Sequence, residues 1–297
     1  MKQNRRELLK FASWLMAMPL FSVANARPLS AAPKSEDEAQ LQEAAIDFFV
    51  KLGYRRLPAM HLITGEGFND GLRFDDTPDQ YPPGKTVRLQ DCARMEDLAR
   101  RGEPGVLPYF HIVALSSEKP TFRGELLTQV LDYLLQSAEL DPKRFVFVST
   151  DRFTPYLVQL QPYDISREQF VQRDLDAAIA AGDGSGYFRP KGHPAATGEY
   201  TVSIHYALDA GAKAPGKALA YPLNGYLELA EVGIDSERGK SVPAESGGFG
   251  LERVLMAQGK PIDSFAQSHQ KALAAIRAES ERRGVALPKG YQKIRDA

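Results

Sequence analysis

The chain has 297 residues, 43% of them hydrophobic, and 37 Lys and Arg against 38 Asp and Glu. That is not the balance of a nucleic-acid-binding protein, while the length allows a full core at the upper end for one domain. A single cysteine, Cys92, excludes an internal disulfide and argues against a structural zinc site.

Arg5, Arg6 and Lys10 precede an apolar run over residues 11–23 that closes on Ala24, Asn25 and Ala26, the three-part pattern of a signal peptide. Pro19 interrupts the run, which falls short of the roughly 20 residues a bilayer span needs, so no stable membrane anchor is expected. The stretch Asn4-Arg5-Arg6-Glu7-Leu8-Leu9-Lys10 resembles the twin-arginine export motif, which implies recognition by the twin-arginine machinery and export in the folded state. The expected organisation is a signal peptide over 1–26, a Pro- and Ser-containing tether over 27–37 and one domain over 38–297, located in the periplasm. A lone thiol fits folding before export. Cleavage would remove four basic residues and one acid, leaving a still more acidic chain.

Leu41, Ala44, Ala45, Phe48 and Phe49 recur at helical spacing ahead of Gly53, which predicts an amphipathic helix over 38–52. Residues 54–108 alternate short apolar stretches with Gly and Pro and read as strands and long loops. A buried strand is expected over 109–115, a buried helix over 124–138 and a strand over 144–149. Residues 166–181 read as a helix and 182–186, with three glycines, as a loop. Strands are expected over 201–206, 221–223 and 226–234, then helices over 251–258 and 264–283. Clustered strands with flanking helices argue for an α+β fold with a mainly antiparallel sheet.

The most informative stretch is Glu245-Ser246-Gly247-Gly248-Phe249-Gly250-Leu251-Glu252-Arg253. Glycines such as Gly248 and Gly250 permit positive φ and close approach to the backbone. Arg253, in the first turn of the following helix, has a guanidinium plane that can lie over an aromatic base, which Lys cannot match. The plain alternative is a tight turn followed by solvent-facing Glu252 and Arg253.

Gly-Phe-Gly-Leu-Glu-Arg at 248–253 resembles the third signature motif of class II aminoacyl-tRNA synthetases, and its order with other segments is similar to the alanyl-tRNA synthetase catalytic domain. Phe48-Phe49-Val-Lys-Leu-Gly53-Tyr54 is similar to that family's opening helix, and Arg88-Leu-Gln90-Asp-Cys92-Ala-Arg94 to its Gln-Lys-Cys-Ile-Arg strand. Glu139-Leu140-Asp141-Pro142 stands where the family has Leu-Gly-Leu-Asp-Pro, and Ser203-Ile204-His205-Tyr206 resembles the end of its Cys-Ser-Glu-Ile-His-Tyr-Asp segment. The resemblance spans residues 40–260 in order. It implies a class II synthetase-like fold, ATP as the cofactor to consider, and ligand contacts from Arg94, His205, Glu228, Gly248, Gly250 and Arg253. Glu199, Ser203, Glu228 and Glu231 would border the substrate pocket, where a carboxylate can bind an amino group.

The chain departs from the family at motif two. Val106 stands in place of the arginine that holds the α-phosphate of ATP, and Ile112 in place of the glutamate in the Phe-Phe-Glu-Met strand. Neutralising charge on phosphate is the main protein contribution to adenylate formation, so this exchange should cost several kcal/mol of transition-state stabilisation. Arg94, Arg100 and Arg101 are near enough in sequence to be substitutes. Length, charge and compartment together argue against a tRNA partner.

The five histidines, His61, His111, His193, His205 and His269, show no metal-ligand spacing, and no nucleophile elbow is present. His111 reads as a sheet residue rather than a catalyst. The leading expectation is an exported relative of the alanyl-tRNA synthetase catalytic domain that binds an amino-acid-like or nucleotide-like small molecule without charging tRNA. Competing expectations are an ATP-dependent ligase that activates an amino acid for a non-tRNA acceptor, and a non-catalytic periplasmic scaffold.

Overall fold

The computed structural model describes residues 35–59, 62, 84–117, 124–188, 198–209, 223–236, 245–284 and 287, all within one compact unit, Ala32–Ala297. The signal-peptide reading over 1–26, most of the tether, His61, His193 and residues 221 and 222 of an expected strand lie outside the described residues. No described helix is long and apolar enough to cross a membrane.

Among the described residues nine strands form one sheet: β1 (Arg55–Arg56), β2 (Lys85–Ala93), β3 (Tyr109–Ser117), β4 (Phe145–Ser149), β5 (Phe170–Gln172), β6 (Tyr187–Phe188), β7 (Glu199–Ala207), β8 (Tyr226–Ser236) and β9 (Glu245–Gly250). Their order is β1-β2-β3-β9-β8-β7-β4-β5, with β6 pairing β7. Only β1 with β2 and β4 with β5 are parallel; the other pairs are antiparallel. Among the described residues five α-helices accompany the sheet: α1 (Ser35–Lys51), α2 (Glu125–Asp132), α3 (Leu175–Ala181), α4 (Leu251–Ala257) and α5 (Phe265–Arg283). The architecture is α+β, a mainly antiparallel sheet flanked by helices.

Period-two alternation sorts the central strands onto two faces. Val87, Val113, Leu115, Phe249, Val232, Val202, Ile204 and Phe147 join Ala45, Ile46 and Phe49 of α1 and Leu126, Leu127, Val130 and Leu131 of α2 in the main core. The Phe249 ring stacks on Tyr133 at 4.7 Å and lies 6.0 Å from Phe49. Tyr133 begins a π-helical turn, Tyr133–Ser137, that continues α2. Burying side chains of this size stabilises by about 1.5–3 kcal/mol each relative to exposure, before entropy is counted.

Two expectations are corrected. The helix over 166–181 is instead a 3-10 turn (Arg167–Gln169), strand β5 and the shorter helix α3. Phe170 and Val171 pair in parallel with Phe147 and Val148, and the Phe170 ring stacks on Phe147 at 5.1 Å. Sheet pairing and aromatic packing outweigh local helical spacing there, and Asp174 then caps α3 by accepting from Ala177 N. The glycines of β9 are the second correction. Gly247, Gly248 and Gly250 have no positive φ and lie within a strand. What Gly247 and Gly248 supply is room, because a Cβ on Gly247 would come within 2.6 Å of Glu231 O and one on Gly248 within 2.7 Å of Val113 O.

Candidate functional site

The face of the sheet opposite α1 and α2 is polar. Register places Thr86, Arg88 and Gln90 of β2 beside Ser116, Ala114 and Ile112 of β3. Ser116 and Ala114 lie beside Ser246 and Gly248 of β9, then Gly233 and Glu231 of β8, then Thr201 and Ser203 of β7. Arg88, Ile112, Ala114, Ser246, Gly248 and Glu231 are half-buried, so the centre of this face is not packed like a core.

A β-bulge decides which carboxylates reach it. Between Ile204 and His205 the register with β8 shifts, so that Ile204 faces Ala230 whereas His205 faces Glu228. The extra residue, Leu229, turns with Ala230 into the core. Glu228 and Glu231, three apart in sequence, thereby share the polar face, which regular alternation forbids.

Here four side chains form one hydrogen-bonded chain. Arg253, in the first turn of α4, donates from Nη1 to Glu228 O at 3.0 Å and Glu228 Oε2 at 3.1 Å, and from Nε to Gly105 O at 3.2 Å. Ser203 Oγ donates to Glu228 Oε1 at 2.7 Å, and His205 Nε2 lies 2.9 Å from Ser203 Oγ. Burial opposes the charged form of Glu228, yet Arg253, His205 and Ser203 outweigh it and hold the carboxyl below its ordinary pKa. Burial, with the Arg253 charge, outweighs the opposing pull of Glu228 and Asp183, pushes His205 below its ordinary value and favours neutral imidazole.

Glu231 has the opposite environment. Burial first, then Glu228, Glu199 and Asp183, push its pKa well above the ordinary value. Its neighbours are otherwise committed. Glu199 accepts from Ser246 Oγ at 2.6 Å, and Arg173 donates to Asp183 at 2.6 Å. Gly184, with φ +92°, admits the Glu231 carboxyl, since a Cβ there would overlap Oε2. Thr201 holds this loop by donating from its hydroxyl to Gly184 O. Sequence reading assigned Asp183 and Gly184 only to a loop; the glycine spacing alone carried no signal of an acidic neighbour across the sheet.

The structure thus gathers His205, Glu228 and Arg253, with Gly248 opposite Glu231 in register and Gly250 next to the Arg253 side chain. A Cβ at Gly250 would meet Arg253 at an ordinary 3.6 Å, so close packing does not demand glycine there. Arg94 stands apart at the end of β2, its backbone N–H donating to Pro108 O at 2.7 Å and its guanidinium 6.0 Å from the Phe110 ring; it is not a partner in the four-residue chain. Val106 is buried beside Gly105, the carbonyl that Arg253 grips, and Ile112 lies half-buried on the polar face.

Glu252 does not face solvent. Its carboxylate accepts from His111 N at 3.0 and 3.2 Å and lies 2.6 Å from His111 Nδ1, so His111 is held in the sheet on the face away from the site. Cys92 is fully buried, and burial pushes its thiol up, which makes it inert. Among the described residues no group of three or more His, Cys, Asp or Glu side chains is placed to hold a metal ion.

No protein-family model matches the chain, and no curated protein matches it. Among solved structures, the chain is similar to apo histidyl-tRNA synthetase of S. aureus, with a TM-score of 0.43 and 14% identity over 82% of this chain and 73% of that one.

Proposed function

We propose that the chain is an exported, class II synthetase-like protein, derived from the alanyl-tRNA synthetase type of catalytic domain, that binds a small amino-acid-like molecule through its ammonium group on the polar sheet face and does not charge tRNA. The observation that carries the reading is electrostatic. Among the described residues, Glu231 is crowded by Glu228, Glu199 and Asp183 and has no compensating cation of its own, so a ligand ammonium entering beside it relieves a cost already present in the fold. The motif-three resemblance at 248–253 and the position of His205 support the synthetase-like ancestry. Val106 and Ile112, apolar where the family uses charge, argue against adenylate formation. Arg253 is already committed to Glu228 and Gly105, which favours an amino-acid-like over a nucleotide-like ligand.

Calorimetric titration with L-alanine, L-alaninol and ATP, paired with Glu231→Gln, tests the proposal. Saturable binding of the amines that is lost in the variant is expected. Alanine-dependent exchange of pyrophosphate into ATP would overturn the reading in favour of a ligase, and no amine binding would leave the scaffold alternative. Export is tested by fusing residues 1–36 to a reporter that must fold before translocation; periplasmic signal lost on Arg5→Lys with Arg6→Lys is expected.

A further inference from the structure

We infer that Arg253 is a positioning residue that acts through Glu228 and Ser203 to hold His205 as the Nε2–H tautomer, leaving its Nδ1 lone pair as the acceptor for a hydrogen-bond donor on the ligand. The inference rests on the reading of the polar sheet face as the ligand site.

Proton counting along the chain fixes the direction of each bond. A carboxylate only accepts, so the 2.7 Å contact between Ser203 Oγ and Glu228 Oε1 uses the single hydroxyl proton of Ser203. Ser203 can then only accept from His205, and the 2.9 Å contact requires the proton to be on Nε2. A neutral imidazole has one N–H. Nδ1 is therefore a bare lone pair. His205 is 7% exposed, and among the described residues nothing hydrogen-bonds to its Nδ1. Nδ1 is not one of the buried polar atoms that lack a partner, so this acceptor is open to a ligand or to water.

Arg253 anchors the other end. Its guanidinium does not deprotonate, and the carbonyls of Glu228 and Gly105 hold it in place. Its charge keeps Glu228 ionised and thus committed to accepting from Ser203; the ionised Glu228 favours a second proton on His205 more than the Arg253 charge disfavours it, and burial is what keeps the imidazole neutral. In this arrangement the arginine serves the selectivity of a histidine that it reaches only through Glu228 and Ser203, rather than touching a base. The ligand class follows: a group with N–H to give, such as a primary ammonium, is accepted, and a carboxylate or phosphate aimed at Nδ1 is refused, because two lone pairs would face each other.

The test is nitrogen-15 NMR of the full chain labelled at histidine, with the His205 signals assigned through their loss in His205→Gln. In the ligand-free protein at neutral pH, His205 is expected with its proton on Nε2 and none on Nδ1. Ser203→Ala should lower that preference about fivefold, the worth of one ordinary hydrogen bond, and Arg253→Ala should lower it in the same direction, with near-UV circular dichroism reporting that each variant is folded. If Ser203→Ala does not fold, Arg253→Ala alone decides. A His205 protonated on Nδ1, a cationic His205, or a tautomer ratio unmoved in the folded variants overturns the inference without bearing on whether the face binds a ligand. L-alaninol that binds calorimetrically while leaving the Nδ1 signal in place overturns the acceptor role and spares the binding reading; absence of any alaninol binding overturns the binding reading, and the acceptor role falls with it.

Discussion

Glu245 of β9 accepts a hydrogen bond from the backbone N–H of Leu126 at 2.9 Å, so a strand carboxylate caps the first turn of α2 across 119 positions of sequence. Gly124, the N-cap residue, has no side chain to do this and sits at φ 70°. A carboxylate at a helix N-terminus satisfies an orphan donor and complements the helix dipole. Because Glu245 also begins the strand that ends at Gly250, the contact ties the π-turned helix under the sheet to the strand that leads into Arg253.

Glu245→Ala is therefore expected to destabilise the fold by about 1–2 kcal/mol, the usual cost of losing an N-cap. Urea denaturation at neutral pH measures it. A change within error of zero would mean that water replaces the carboxylate at the helix start.

Gly248→Ala tests close approach between strands. The new methyl would come within 2.7 Å of Val113 O and 3.2 Å of Ile112 Cγ2. Both belong to β3, whose pairing with β9 would have to spread. Overpacking of this kind costs typically about 1–3 kcal/mol. A thermal melt shows it, and Gly250→Ala should cost less, since its Cβ would meet only ordinary contacts at 3.6 Å or more.

The two site carboxylates predict opposite pH responses. Glu231 has a folded pKa raised well above its ordinary 4.5, so the folded state holds a proton that the unfolded chain releases, and stability falls as pH rises from about 4.5 through the folded value. Glu231→Gln is thus expected to be more stable than the parent at pH 7, with the difference vanishing below the unfolded value. Glu228 has a folded pKa below 4.5. Its contribution is present above the unfolded value and is lost as pH falls through the folded one. Chemical denaturation of the parent, Glu231→Gln and Glu228→Gln across pH 3–8 separates them; a Glu231→Gln difference that grew toward acid would refute the assignment.

Glu252→Ala removes the acceptor for His111 N and the partner of His111 Nδ1. Losing hydrogen bonds to a charged acceptor at this part-buried position should cost roughly 1.5–3 kcal/mol. Equilibrium unfolding measures the loss, and His111→Ala in the Glu252→Ala background should add less than it does alone, since both act through one contact.

Much of the architecture is legible from periodicity. The apolar spacing of α1 and α2 and the run Phe145-Val146-Phe147-Val148 are local patterns, and the structure keeps them. The segment over 166–181 is not legible in the same way, because Phe170 and Val171 satisfy a helical count equally well and only the neighbouring strand β4 decides their state. Among site residues, Glu228, His205 and Arg253 are reached by resemblance, whereas Asp183 and Gly184 have no local signature of their own.

What the sequence by itself determined is the set of buried faces: hydrophobic spacing commits each long segment to helix or strand because burial is local in its periodicity. What only the tertiary structure decided is which polar groups meet. The bulge at Leu229 turns Glu228 onto the face of Glu231, and the register of β7 against β8 sets Ser203 between Glu228 and His205. Register and bulges depend on partners far apart in the chain, and a shift of one residue would send every one of these side chains to the opposite face.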